Sequence, residues 1–449
     1  MTCETNPRRL AAKQFIALPE YQVNQRITTA AKFSGTVRVP GDKSISHRAL
    51  MFAAMAEGES TLTGLATGRD VASTASCLRA LGAEIDELTP GAVTVAGVRA
   101  GRFAKPAGEL DAGNSGTTIR LLSGILAGQR FGSVITGDNY LRRRPMKRVI
   151  DPLELMGARF ESDDGRPPLA ITGGALRGIE YQLPVPSAQV KSCVLLAGLF
   201  AAGTTSVLER VASRDHSERM LPVFGVDVSR DGLRTSVGGG SELRPADLTI
   251  PGDPSSAAFF AAAAALVPGG KVLLENICLN PTRAAFFDVI ESMGAAVERL
   301  NQRSECGEPV ADVRVGHGEL TSFQVGGELI PSLIDEIPVL AVLAANARGV
   351  SQIRDAGELR VKETDRLKAV AANLAAMGAK VEEQPDGLVI EGPSDLRGCT
   401  LESFGDHRIA MSFSVAGLVA SGDTVIEDPA CADISYPGFY RELETLAGK

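Results

Sequence analysis

Apolar positions along the chain recur at helical spacing and then, at a glycine, give way to strand-like stretches. The switch occurs at LRALGAEI (78–85), LELMGARF (153–160), LPVFGVDV (221–228), IESMGAAV (290–297) and LAAMGAKV (374–381), and a degenerate sixth copy, LETLAGK, closes the chain. Glycine just past the last helical turn supplies a left-handed cap and lets the chain reverse into a strand. The six glycines, Gly82, Gly157, Gly225, Gly294, Gly378 and Gly448, are spaced 75, 68, 69, 84 and 70 residues apart, which predicts a repeated helix–glycine–strand unit of about 70 residues. The class is therefore α/β.

A second echo divides the chain in half. VPGDKSISHRALMFAAMA (39–56) and IPGDPSSAAFFAAAAAL (250–266) both read as a strand ending in Pro-Gly-Asp, a Ser-rich helix start and an apolar helix. Three units precede Pro251 and three follow. We expect two similar domains, residues 41–250 and residues 27–40 with 251–449, joined by crossings near Gly41 and Gly252 that can hinge. Residues 1–26, in which Glu4 and Glu20 interrupt the basic and apolar positions, are expected to be a loosely ordered extension rather than a secretory signal.

Composition adds exclusions. The longest unbroken apolar run, Ala257–Val267, has 11 residues, well short of the roughly 18 that span a bilayer, so no membrane segment is expected. The seven cysteines are scattered without a CxxC pair, and the four histidines (His47, His216, His317, His407) lie far apart, so neither a disulfide framework nor a metal site is expected. A reducing, cytoplasmic setting follows. The net charge of −8 argues against nucleic acid as a partner but leaves room for a local basic pocket.

Cations stand at the predicted helix starts, where the helix dipole disfavours them unless an anion compensates. Lys43 and Arg48 flank Ser44 and Ser46, either serine being a candidate N-cap. Asn114-Ser115-Gly116-Thr117 opens a helix carrying Arg120, and LRRRPMKRV puts Arg142, Arg143, Arg144, Lys147 and Arg148 within seven residues. Ser187 and Gln189 begin another helix, and Arg214 follows it. In the second half, Asp335 and Glu336 precede an apolar helix. Lys362, Glu363 and Arg366 share a face by i,i+3 and i,i+4 spacing, and Asp406, His407 and Arg408 open the last apolar helix. Free helix N–H groups with fixed Arg and Lys side chains suit small polyanions clamped between two domains. Among these cations Asp335 and Glu363 are candidates for general base and general acid.

PGDKSISHRA, GNSGTT, RRRPM, SAQVKS, RVKETDRL and DHRIAM, in that order, resemble the 5-enolpyruvylshikimate-3-phosphate (EPSP) synthase family over residues 33–440, and SAQ with RDHSE resembles its bacterial subgroup with that motif. The resemblance implies a two-domain inside-out α/β barrel, each domain of three βαβαββ repeats, with helix N-termini facing the interdomain cleft. It implies transfer of the enolpyruvyl group of phosphoenolpyruvate to the 5-hydroxyl of shikimate 3-phosphate through a tetrahedral adduct, with release of phosphate, no cofactor, and action as a monomer.

By the same resemblance Lys43, Ser44, Arg48, Ser187, Ala188, Gln189, Arg214, Asp335 and Lys362 contact shikimate 3-phosphate. Lys43, Gly116, Arg144, Gln189, Arg366 and Arg408 hold phosphoenolpyruvate. Asp335 takes the hydroxyl proton, and Glu363 with Lys43 protonates the methylene carbon. Two phosphates and two carboxylates bring roughly −5 to −6 into one cleft, which demands several fixed cations. Gly116, as in the inhibitor-sensitive pattern, implies inhibition by glyphosate. Two positions depart from the family pattern, Ile434 where many members have a Lys and Glu358 where some have an Asn. The related UDP-N-acetylglucosamine enolpyruvyl transferases normally carry Lys-Asn at the position of Lys43-Ser44 and a reactive cysteine in the first domain. Here no cysteine lies between Cys77 and Cys193. A non-catalytic anion-binding repeat module would need neither Asp335 nor Glu363.

Overall fold

The computed structural model describes residues 24–449. Their strands form six small sheets, five of four strands and one of three. The second unit shows the rule. Strand Leu110–Asp111, helix Gly116–Ala127, strand Gly132–Thr136, helix Lys147–Met156 and the hairpin Arg159–Asp163/Arg166–Thr172 follow one another in sequence. In the sheet the first strand lies parallel to the second, and the hairpin runs antiparallel beside them. This is the βαβαββ order.

Each unit contributes one inner and one outer helix. The inner set is α1 (Lys43–Met55), α2 (Gly116–Ala127), α3 (Ala188–Gly198), α4 (Pro254–Leu266), α5 (Ile337–Asn346) and α6 (His407–Gly417). These are apolar on nearly every side, and α4 and α6 are buried along their whole length, as expected of helices enclosed by sheets and other helices. Most outer helices bury one face; Lys147–Met156, for example, buries Val149, Ile150, Leu153 and Met156, whereas the short His216–Met220 buries all but Arg219. The predicted caps follow the outer helices, with positive φ at Gly82 (100°), Gly157 (113°), Gly225 (81°), Gly294 (113°), Gly378 (91°) and Gly448 (73°).

The two halves exchange a strand. Ser34–Val37 pairs parallel with Lys271–Leu274 of the second half, whereas Leu248–Thr249 pairs parallel with Leu62–Thr63 of the first. The two crossings run side by side, with Gly41 bridged to Gly252, the Asp42 N–H donating to Pro251 O (2.7 Å) and the Asp253 N–H to Pro40 O (3.0 Å). Two apolar cores result. One gathers residues between Ile45 and Ile250 with Cys278, the other those between Ile27 and Val39 and between Ala257 and Ala447.

Three expectations are corrected. The sixth unit stops after its outer helix, Phe439–Leu446, and has no hairpin of its own. Asn24–Ile27 takes its place, antiparallel to Thr424–Glu427, so residues 24–26 belong to a sheet and not to an extension; residues 1–23 lie outside the described residues. The N-cap of α1 is Asp42, whose carboxylate accepts from the Ile45 N–H (2.9 Å), not Ser44 or Ser46. Ser46 accepts instead from the Ala66 N–H at 3.0 Å. None of the described helices is long and apolar enough to cross a membrane.

Candidate active site

A cavity of about 360 Å³ lies between the halves, where the inner helices present their first turns. Lys43 and Ser44 come from the start of α1, Gly116, Thr117 and Arg120 from α2, and Ser187, Ala188 and Gln189 from α3. Asp253 caps α4, Asp335 stands two residues before α5, and His407 and Arg408 open α6. Six N-termini thus direct their dipoles toward one space, a favourable setting for anions.

Of the fourteen residues expected at the site, thirteen line this cavity, and Arg48 does not. Arg48 is 2% exposed, its guanidinium donating to Ser217 Oγ, Ser192 Oγ and Ser44 O, each at 2.8 Å. Burial pulls its pKa down to about 10 even though Glu218 and Asp42 oppose the shift. Lys362 and Glu363 are not helical as their spacing predicted. They follow a 3-10 turn (Gly357–Val361), and the helix begins at Arg366 behind the cap Asp365. The Glu363–Arg366 pair survives at 2.7 Å.

The cations are cross-braced. Arg366 donates to Asp406 (2.8 Å) and Glu363 (2.7 Å); Arg144 donates to Asn114 Oδ1 (2.7 Å) and stands 3.6 Å from Glu363 across the cleft. Arg120 donates to Gln189, which donates to Thr117 at 2.9 Å. Lys43 Nζ pairs with Asp70 at 3.0 Å. Asp335 is the most crowded carboxylate. Arg214 lies at 2.5 Å, Arg366 at 3.3 Å, Arg408 at 3.6 Å and Arg283 at 3.7 Å.

Burial pushes Asp335 up, but Arg408, Arg214, Lys362 and Arg366 outweigh it and hold the carboxyl well below the usual carboxylate range. Glu363 behaves alike: burial opposes Arg366, Arg144 and Lys43, and the cations win. Burial lowers the Lys362 ammonium, and burial with Lys43 and Arg408 nearby lowers His407 well below its usual value, so His407 is neutral at pH 7. Neither His407 ring nitrogen has a partner among the described residues.

Sequence reasoning missed several members of the wall. Arg120 and Arg148 were visible as cations but had no assigned role, and Arg283, a single basic residue in the loop NPTR, carried no signal. Asp253 was legible in the second Pro-Gly-Asp. Glu358 lines the cavity and pairs with Arg148 across the cleft at 3.2 Å, whereas Ile434 is not in the wall. Nine cations against six carboxylates line the cavity, an excess of three positive charges in a chain of net −8. No cluster of metal-ligating side chains occurs among the described residues.

The two-domain inside-out α/β fold, with a cationic interdomain cavity holding two part-buried carboxylates, defines a class of enzymes that act on small polyanions. The sequence profile of EPSP synthase (3-phosphoshikimate 1-carboxyvinyltransferase) matches residues 27–443. A 3-phosphoshikimate 1-carboxyvinyltransferase of Gloeobacter violaceus is 56% identical over 420 residues, 93% of this chain and 97% of its own length. That of Brevibacillus brevis is 52% identical over 94% of this chain and 99% of its own. A solved structure of EPSP synthase from Acinetobacter baumannii superposes with a TM-score of 0.86 at 43% identity, covering 94% of this chain and 98% of the other. The chain belongs to the EPSP synthase family.

Proposed function

We infer that this chain transfers the carboxyvinyl group of phosphoenolpyruvate to the 5-hydroxyl of shikimate 3-phosphate, releasing phosphate. The observation that carries the reading is the cavity itself, where two part-buried carboxylates, Asp335 and Glu363, sit among cations supplied by both halves. The excess positive charge matches ligands that are phosphate and carboxylate esters or acids.

In the proposed mechanism Lys43, Ser44, Ser187, Ala188, Gln189, Arg214 and Lys362 hold shikimate 3-phosphate, with Arg48 supporting that wall from beneath. Lys43, Gly116, Gln189, Arg144, Arg366 and Arg408 hold phosphoenolpyruvate. Asp335 accepts the 5-hydroxyl proton as the oxygen attacks C2. Glu363, with Lys43, delivers a proton to C3, forming a tetrahedral adduct. Breaking the C2–O bond then releases phosphate, and the Glu363 carboxylate takes back a methyl proton, restoring the vinyl group. Substrate charge explains how the two carboxylates acquire these roles. Once ligand anions take Arg144 and Arg366, Glu363 loses the partners that keep it ionised, and its burial then favours the protonated acid. Occupation of Arg214 and Arg408 likewise raises Asp335 toward a useful base.

The proposed domains are residues 41–250 and residues 24–40 with 251–449, hinged at the paired crossings. A monomer in a cytoplasmic compartment is proposed, tested by sedimentation and fractionation. Glyphosate, a small phosphonate and carboxylate, is proposed to occupy the phosphoenolpyruvate subsite. Proton NMR of the two substrates with enzyme tests the transfer. New vinyl signals of an enol ether should grow in step with inorganic phosphate, and pyruvate with phosphate in their place would contradict it.

A further inference from the structure

Arg283 is 2% exposed and belongs to no motif, yet it sits where both interdomain crossings meet the cavity. One terminal nitrogen donates to Asp253 Oδ1 (2.9 Å) and Ser255 Oγ (2.9 Å) and reaches Asp42 Oδ2 at 3.5 Å. The other stands 3.7 Å from Asp335 Oδ2. Asp42 and Asp253 are the N-caps of α1 and α4, the helices that each crossing enters. Asp253 also accepts from the Lys43 N–H at 3.4 Å. A planar guanidinium can serve both sides at once because its nitrogens are fixed in one fork, which a lysine cannot reproduce.

The loop bearing Arg283 is itself tied across the halves. Asn280 donates to Asp215 Oδ1 (2.7 Å), the residue after Arg214, and to Glu308 Oε2 (2.7 Å). Arg214 and Arg283 therefore approach the same oxygen of Asp335 from two anchored segments. A second route runs from Arg283 through Ser255 to Glu336, the neighbour of Asp335.

We propose that Arg283 is a positioning residue for the transfer reaction, fixing the Asp335 carboxylate to the two interdomain crossings so that the base is correctly placed only when the crossings are in register. The inference rests on the role given above to Asp335. Arg283 acts through Asp335 and the two caps. Misplacement of a reacting group by about 1 Å can cost on the order of 10² in rate, so the effect falls on kcat.

The test compares Arg283→Lys, which keeps the charge without the fork, with Arg283→Met, which removes both, in the full chain. Near-UV circular dichroism and Tm establish folding. In folded Arg283→Lys, kcat should fall about tenfold or more while KM for each substrate stays within about threefold. In Arg283→Met the acidic limb of the kcat–pH profile should also move to higher pH, because one of the cations facing Asp335 is gone while Arg214, Lys362, Arg366 and Arg408 remain. Folded Arg283→Lys with wild-type kcat, or a loss that only tracks the folded fraction, would overturn the proposal; should the Met variant not fold, the Lys variant decides alone. Asp335→Asn, run in parallel, separates the two claims: wild-type turnover there would remove the base role of Asp335 itself and the proposal with it.

Discussion

Gly116 shows how much one missing methyl group can matter. A Cβ built there would lie 3.1 Å from Arg120 Nη1 and 3.2 Å from Arg144 Nη1, so either guanidinium would have to yield by a few tenths of an ångström. Arg144 is proposed to hold phosphoenolpyruvate, and glyphosate would share that wall. Gly116→Ala should therefore raise the inhibition constant for glyphosate by about tenfold or more while raising KM for phosphoenolpyruvate less, as competitive inhibition assays would reveal.

The buried histidines carry a second prediction at this scale. Burial, then Lys43 and a neighbouring Arg48 or Arg408, holds His47 and His407 well below their usual pKa, so both are neutral in the fold. Below about pH 6.5 the unfolded chain takes up protons there that the fold does not. Stability from these groups is thus full above that pH and falls as pH drops, by up to about 1.4 kcal/mol per pH unit for each histidine. Urea unfolding at pH 7.5 and 5.5 should show the loss, and His47→Asn should reduce its slope. Most wall residues were legible in the sequence because charge at a helix start is anomalous. Arg283 was not, since one arginine in a loop has no local oddity and acquires meaning only from the crossings that surround it.

At the scale of elements the sequence was most informative where backbone chemistry forces a residue type. The six capping glycines are needed for φ values that other residues rarely adopt, so the repeat can be counted along the sequence by its glycines alone. Caps were less certain, because Ser44, Ser46 and Asp42 are all competent N-caps and only the turn geometry selects Asp42. Strand pairing was hidden altogether for Asn24–Ile27, whose partner lies at the other end of the chain. Ile27 is 3% exposed and packs where a Cβ on Gly417 would come within 3.0 Å of it. Ile27→Ala should cost about 2–4 kcal/mol in chemical denaturation. A change below about 0.5 kcal/mol would mean that the strand is an ornament on the sixth sheet.

For the whole molecule, the net charge was a poor guide, because a chain sum says nothing of a cavity with three excess cations. The two halves and their crossings were readable from the duplicated Pro-Gly-Asp, whereas the contacts that set the cleft width were not. Gly68 is one of them. Its φ of −63° suits any residue, yet a Cβ there would sit 2.5 Å from Ile434 O on the opposite half. Gly68→Ala should leave each core intact, with Tm changed by no more than about 2 °C, but hold the halves apart and lower kcat/KM by about tenfold or more. Wild-type kcat/KM in that variant would show that the cleft width does not limit the reaction.

The proposed transfer requires two anionic substrates in one cavity, with neither sufficient alone. Phosphate release by the wild-type enzyme, followed with both substrates and with each omitted in turn, measures this directly. Phosphate should appear only when phosphoenolpyruvate and shikimate 3-phosphate are both present; release that persists without shikimate 3-phosphate, or none with both, would contradict the proposed reaction.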